Sequence, residues 1–212
     1  WAICEQLMLR QTYDGEVRWI IVDDGETPQT VTFKRDKWTL NVLHPDHVWT
    51  GQNTQAANLI HGIKFVQDHE KLVIIEDDDF YHPEWLRRVD DWLKTHDLVG
   101  EAPARYYNVI TRRARELPNT VHSSLCATAM KRDAIAQFKS ELKDGAKFID
   151  LHLWGNFNGS KKTYRTKMVV GIKGLPGRMG IGVGHKKEFG GMFDPKSEIL
   201  RLWVEPNFDL YG

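Results

Sequence analysis

The sequence predicts an α/β fold, a mixed and mostly parallel sheet flanked by helices in a single domain. The first observation is the alternation of short apolar runs with segments of helical spacing, the pattern of one layered α/β architecture. The second is the stretch around residue 76. The apolar run Leu72–Ile75 reads as a buried strand and enters the carboxylates Glu76, Asp77, Asp78 and Asp79. Pro83 then opens a helix in which Trp85, Leu86, Val89, Trp92 and Leu93 recur at helical spacing. The third is size: 212 residues, 41% of them hydrophobic, suffice for one proper core.

In chain order, Ile3, Cys4, Leu7 and Met8 make one apolar face of a first helix, which Asp14-Gly15 ends. Val17–Val22 is a strand closed by Asp23-Asp24-Gly25. A domain of this class that starts on a helix implies a preceding strand, so residues upstream of Trp1, carrying the sheet's first strand, are expected in the native protein. Leu40–Leu43 is a strand, followed by a loop to Asn53. A helix from Thr54 to about Asp68 is expected to bury Leu59, Ile60, Ile63 and Val66. After the helix at Pro83, strands are expected at Leu98–Gly100, Tyr106–Thr111, Ser124–Met130 and Tyr164–Ile172, with Arg112, Arg113 and Arg115 in a loop. Helices are expected from Arg132 to Leu142 and, shorter, near Asp150. Residues 173–187 form a glycine-rich loop. The domain is expected to span 1–190, with 191–212 a tail packed on it. No repeat, low-complexity segment or linker interrupts the chain.

Net charge is zero, with 29 basic and 29 acidic residues, so nothing pulls the whole chain toward nucleic acid or anionic membrane. The distribution is uneven: residues 67–101 hold eleven acids against four Lys or Arg, and 151–187 hold eight Lys or Arg and no acid. That suits a metal-binding end facing a phosphate-binding end, or two unrelated surfaces. Cys4 and Cys126 are the only cysteines and read as separate buried residues. No apolar run approaches the ~20 residues of a membrane span, and no signal peptide is visible; a cytoplasmic protein is expected.

The acids at 76–79 follow a strand and precede a helix, where open α/β sheets place ligands. Neighbouring carboxylates repel, and a hard divalent cation relieves the conflict. The period of two puts Asp77 and Asp79 on one side as the expected ligands; Glu76 with Asp78 is the other register, and a solvated acidic turn is the plain alternative. In the late loop, five glycines allow close backbone approach to a ligand, Lys173 and Arg178 can hold phosphate oxygens, and His185 can ligate a metal.

These elements together resemble a family. Strand-then-Asp23-Asp24-Gly25 is similar to the opening of GT-A glycosyltransferases of the family-2 type. Gly51 and Ala57-Asn58 resemble that family's next segment, with Ala57 in place of its arginine. Glu76–Asp79 followed by Pro83 and Leu86 resembles its DxD region. Ile149-Asp150-Leu151-His152-Leu153-Trp154 resembles its downstream acidic segment, with Ile149 in place of the first acid. The resemblance covers roughly residues 17–190. It implies a single GT-A-like (Rossmann-like) domain whose first strand is missing from this chain.

The activity implied is a metal-dependent, hexosyltransferase-like transfer from a nucleotide-sugar donor, a UDP-sugar foremost, to a hydroxyl acceptor with inversion. Mn²⁺ or Mg²⁺ on Asp77 and Asp79, completed by His185, would neutralise the donor diphosphate. Asp23, Asp24, Asn58, Asp77, Asp78, Lys173 and Arg178 would bind the donor. Asp150 would be the general base, its structural alternative being a helix cap. The late loop and Tyr106–Leu125 look similar to small bacteriophage glycosyltransferases, which implies a hydroxymethylated DNA base or a glycan as acceptor and the host cytoplasm as location. Tyr106, Arg112 and Trp154 are the acceptor-side candidates. The competing readings are a sugar nucleotidyltransferase and a non-catalytic nucleotide- or Ca²⁺-binding module.

Overall fold

The computed structural model describes residues 1–46, 54–67, 69–176, 184 and 189–211. Helix α1 (Ala2–Leu9) turns Cys4, Leu7 and Met8 into the core. Strands β1 (Val17–Val22) and β2 (Trp38–Leu43) pair parallel from Val17 opposite Trp38 to Val22 opposite Leu43. Helix α2 (Gln55–Ile63) follows, then β3 (Lys71–Val73), β4 (Phe80–Tyr81) and α3 (Trp85–Trp92). In α3 the helical spacing seen in the sequence buries Trp85, Leu86, Val89 and Trp92 on one face, each contributing roughly 2–3 kcal/mol by area.

Beyond α3 come β5 (Leu98–Glu101), β6 (Arg105–Asn108), β7 (Arg113–Glu116) and β8 (Thr128–Lys131). Helices α4 (Asp133–Glu141) and α5 (Ile149–Asn156) precede β9 (Lys161–Tyr164) and β10 (Val169–Lys173). The chain closes with β11 (Met192–Phe193) and α6 (Glu198–Val204). Among the described residues the strands form three sheets, β1-β2, β11-β7-β6-β10-β4 and β3-β8-β5-β9.

The sheets are mixed, as expected, but not mostly parallel among the described residues. Only β1 with β2, β6 with β10 and β5 with β9 run parallel. One antiparallel pair, β6 with β7, follows from a short connection, because a turn of a few residues can join only antiparallel neighbours. Arg112, at φ 50°, sits in such a turn between β6 and β7. Residues 113–116, expected as loop, are therefore a strand. Asn108 Oδ1 accepts from Ile110 N and Thr111 N and stops β6 three residues early.

The expected strand at 124–130 begins instead as a turn of 3₁₀ helix at Leu125–Ala127. Ser123 Oγ and Thr128 Oγ1 satisfy the carbonyls of Ala127 and Ser124 there. The expected strand at 164–172 is two strands, β9 and β10. Between them buried Glu101 accepts from Thr166 Oγ1, Met168 N and Val169 N, which supplies the backbone with partners outside any ladder.

Two core clusters form. One joins α1, α3 and α6 to the five-stranded sheet around Phe80, Tyr81 and Trp85; the other packs α4 and α5 on Leu98, Met130 and Phe138. Leu200 and Val204 of the tail enter the first cluster, and Arg10 Nη1 and Nη2 bond both oxygens of Asp209. Cys4 and Cys126 are both buried, and neither is in a disulfide. The β1–α2 region differs: every residue of β1 is partly exposed. In α2 only Ala56 is buried, while Leu59, Ile60 and Ile63 stay half-buried. Among the described residues β1 has a neighbour on one side only, so the sheet does not close over α2.

Candidate active site

A cleft of 1980 Å³ opens where β1, β3 and β10 end. Asp23, Asp24, Asn58, Glu76, Asp77, Asp78, Asp79, Tyr106, Asp150 and Lys173 all line it. Residues more than a hundred positions apart thus line one cavity.

The acidic turn is held by neighbours rather than by its own sequence. Asp79 is fully buried; its Oδ1 accepts from Ile172 N at 2.9 Å and Lys173 Nζ at 2.9 Å. The same ammonium lies 3.4 Å from Asp78 Oδ2 and 4.0 Å from Glu76 Oε2. Glu76 Oε1 accepts from Gln55 Nε2 at 2.9 Å, and Tyr81 Oη meets Glu76 N at 2.8 Å. Burial, reinforced by Asp79, pushes Glu76 up to about 8. Burial works against the Lys173 ammonium, but Asp79, Glu76 and Asp78 outweigh it and raise its pKa well above the usual lysine value.

This geometry separates the two registers. Asp79 is fully buried, with its Oδ1 taken by Lys173 and the β10 backbone. Asp77 turns the other way, 39% exposed at its side chain and 4.0 Å from the Trp1 amine. The expected pair Asp77 and Asp79 therefore do not share a side, because the chain is a turn there and not extended strand. Glu76 and Asp78 do converge, on Lys173.

The charge balance of the cluster accommodates a further cation. Three carboxylates, Glu76, Asp78 and Asp79, surround one ammonium, and Asp79 Oδ2 is buried with no hydrogen-bond partner. Glu76, Asp79 and Cys126 bring one ligand atom each within 4.8 Å of one another. Burial pushes the Cys126 thiol up, so it is a poor ligand for a hard ion. The carboxylates of Glu76, Asp78 and Asp79 are oxygen donors of the kind hard divalent cations take.

Asp150 lies in the first turn of α5, whose cap position is Phe148, and no side chain caps the helix. Asp150 is thus not the cap residue, and the helix N-terminus favours its carboxylate electrostatically. Burial raises its pKa, against the pull of the Leu151 N–H and His122. Asp23 is occupied in its own loop: Oδ1 accepts from Gly25 N at 3.2 Å and Oδ2 from Gln29 N at 2.7 Å. Asp24 and Asn58 sit at the cleft wall beside it.

On the acceptor side, Tyr106 lines the cleft with its hydroxyl 2.7 Å from Ser124 Oγ. Trp154 does not: it is 3% exposed in the second core cluster, with Nε1 donating to Thr128 Oγ1 at 3.2 Å. Arg112 is also placed elsewhere; its Nη1 donates to Pro195 O at 2.8 Å and ties down the tail. Arg178 and His185 lie outside the described residues. Lys173, read from sequence as a phosphate ligand, is the internal counter-ion of the acids. Sequence reasoning missed Gln55, Tyr81 and Cys126, which carry no local signal because their relation to the acids exists only across the fold.

Residues 2–155 match the family model described as glycosyl transferase family 2. No curated protein matches the chain. A solved structure titled "Crystal Structure of A197 from STIV" is similar at TM-score 0.40 and 14% identity, covering 71% of this chain and 82% of that one.

Proposed function

The chain belongs to glycosyl transferase family 2, and from that premise we propose that it transfers a sugar from a nucleotide-sugar donor to an acceptor hydroxyl with inversion. The observation that carries this reading is the convergence of Asp24, the 76–79 acids and Asp150 on one cleft. Asp150 accepts the proton of the acceptor hydroxyl as its oxygen attacks the anomeric carbon and the diphosphate departs. Glu76 and Asp78 would hold Mn²⁺ or Mg²⁺, which when bound supplies positive charge beside the leaving diphosphate. Lys173 keeps Asp78 and Asp79 in place and offsets part of their charge. Asp24 and Asn58 line the nucleoside end of the cleft.

For the acceptor, a carbohydrate hydroxyl is favoured over a DNA base. Of the basic residues that could meet DNA phosphates (Arg105, Arg112, Arg113, Arg115, Lys161, Lys162, Arg165 and Lys167), Arg112 and Arg113 are bonded to the carbonyls of Pro195 and Gly191. Among the described residues no helix is long and apolar enough to cross a membrane. Incubation with a panel of nucleotide sugars, Mn²⁺ and hydroxyl acceptors tests the proposal. Release of nucleoside diphosphate is the expected result; release of pyrophosphate would mean a nucleotidyltransferase, and no turnover with retained donor binding a binding module.

A further inference from the structure

Phe148 breaks three local rules at once. It holds the cap position of α5, where its ring offers no oxygen to the helix's first N–H groups as Ser, Thr, Asp or Asn would. Its backbone is left-handed, φ 55° and ψ 41°, a conformation that strains a bulky residue and that Gly or Asn takes more easily. Its side chain is 68% exposed, although Ile149 and Leu153 of the same helix are buried. The other described non-glycine residues with positive φ are all polar: Lys37, Arg112, Arg132, Lys167 and Ser197.

Among the described residues Phe148 belongs to neither core cluster. Its carbonyl accepts from His152 N at 3.1 Å, a bond that any residue at this position would supply. A site where local preference and the chosen residue disagree is where function is to be sought. The side chain lines the cleft together with Lys147 and Asp150. Phe148 and Asp150 lie two positions apart at the start of one helix, so the ring and the carboxylate are held in a fixed relation.

We propose that Phe148 is the platform for the acceptor: the C–H face of a pyranose ring stacks on it, which brings a ring hydroxyl to Asp150. The proposal rests on the role given to Asp150 above. The C–H bonds on one face of a sugar ring carry slight positive charge and meet the negative face of an aromatic ring. The hydroxyls around the sugar's rim stay free for hydrogen bonds, and Lys147 and the Tyr106–Ser124 hydroxyl pair line the same cleft. Trp154, the aromatic expected for this task, is buried in the core. A nucleobase is the other flat ligand for an aromatic ring, but the residues assigned to the nucleoside, Asp24 and Asn58, belong to the β1–α2 side.

Saturation-transfer difference NMR on the full chain tests this. The probes are the methyl glycosides of glucose, galactose, mannose and N-acetylglucosamine, with uracil as the flat ligand that is not a sugar. The wild type is expected to saturate the C–H protons on one ring face of at least one glycoside. Phe148→Asn should weaken binding of that glycoside about tenfold. It should melt no lower than wild type, because asparagine tolerates the left-handed backbone. Phe148→Tyr keeps the ring face and should keep the signal. Transfer to no glycoside, transfer to uracil alone, or an unchanged signal in Phe148→Asn overturns the inference. So does loss of binding together with a lower melting temperature, which would make Phe148 a support of α5. A glycoside bound through Phe148, with no nucleoside diphosphate released from any nucleotide sugar, supports the platform and overturns the transferase reading.

Discussion

Lys173 Nζ lies 2.9 Å from Asp79 Oδ1 at the floor of the cleft, with Asp79 fully buried and Lys173 7% exposed. The pair joins the end of β10 to the acidic turn before β4. It fixes the direction in which Asp78 and Glu76 face.

The first prediction concerns that pair. Lys173→Met leaves Asp79 buried and uncompensated, a change that costs roughly 3–5 kcal/mol. The double variant Lys173→Met with Asp79→Asn should recover most of the loss, because a neutral pair of similar volume needs no counter-charge. Urea unfolding of both variants measures this; equal destabilisation of single and double variants would show that packing, not charge, dominates.

The second concerns the register of the metal ligands. Asp78→Asn should abolish Mn²⁺-dependent binding of a nucleoside diphosphate with the fold intact, whereas Asp77→Asn should weaken it little. Asp79→Asn should instead lower the melting temperature. Titration calorimetry with and without Mn²⁺ reads the first two, and the reverse order of Asp77 and Asp78 would return the assignment to the pair expected from sequence.

The third concerns Asp150 and pH. Asp150→Asn should keep donor affinity and lose turnover by roughly 10²–10⁴-fold, the range for a general base. The wild-type rate should fall on acidification through a midpoint above the usual aspartate value of 3.8, since burial raises this group. For stability the sign is opposite. A carboxyl raised in the folded state contributes stability that is complete below its unfolded pKa and is lost as pH rises through the folded one. At neutral pH Asp150→Asn should therefore be the more stable protein. Loss of turnover accompanied by loss of stability would make Asp150 a structural residue.

The fourth concerns Arg112 and Arg113. Their hydrogen bonds to Pro195 O and Gly191 O hold the tail against β7. Replacing both with alanine should cost about 1–3 kcal/mol and speed proteolysis after residue 190. Binding to duplex DNA at low salt should be absent in wild type and variant alike. A steep salt-dependent affinity that flattens in the variant would restore the DNA acceptor.

Much of the site's composition was readable in the chain. Local pattern placed the acids of 76–79 between a strand and a helix, set α3 from Trp85, Leu86 and Val89, and put Asp150 at the start of a short helix. Those features depend on spacing along a few residues, which sequence records directly. The side on which each acid faces depends on Ile172 N and Lys173 Nζ, more than ninety positions away, and a period-of-two argument cannot see them.

Sequence by itself determined the family, the order of helices α1 to α5 and the existence of an acidic centre, because periodicity, punctuation by glycine and proline, and a short ordered set of motifs are local properties. Only the tertiary structure decided that Glu76, Asp78 and Asp79 gather on Lys173 while Asp77 faces the other way. It also decided that Trp154 serves the core and Arg112 the tail. The physical reason is the same each time. A tryptophan or an arginine has the same local signature whether it meets ligand, core or backbone, and long-range packing and the pairing of buried charge choose among the three.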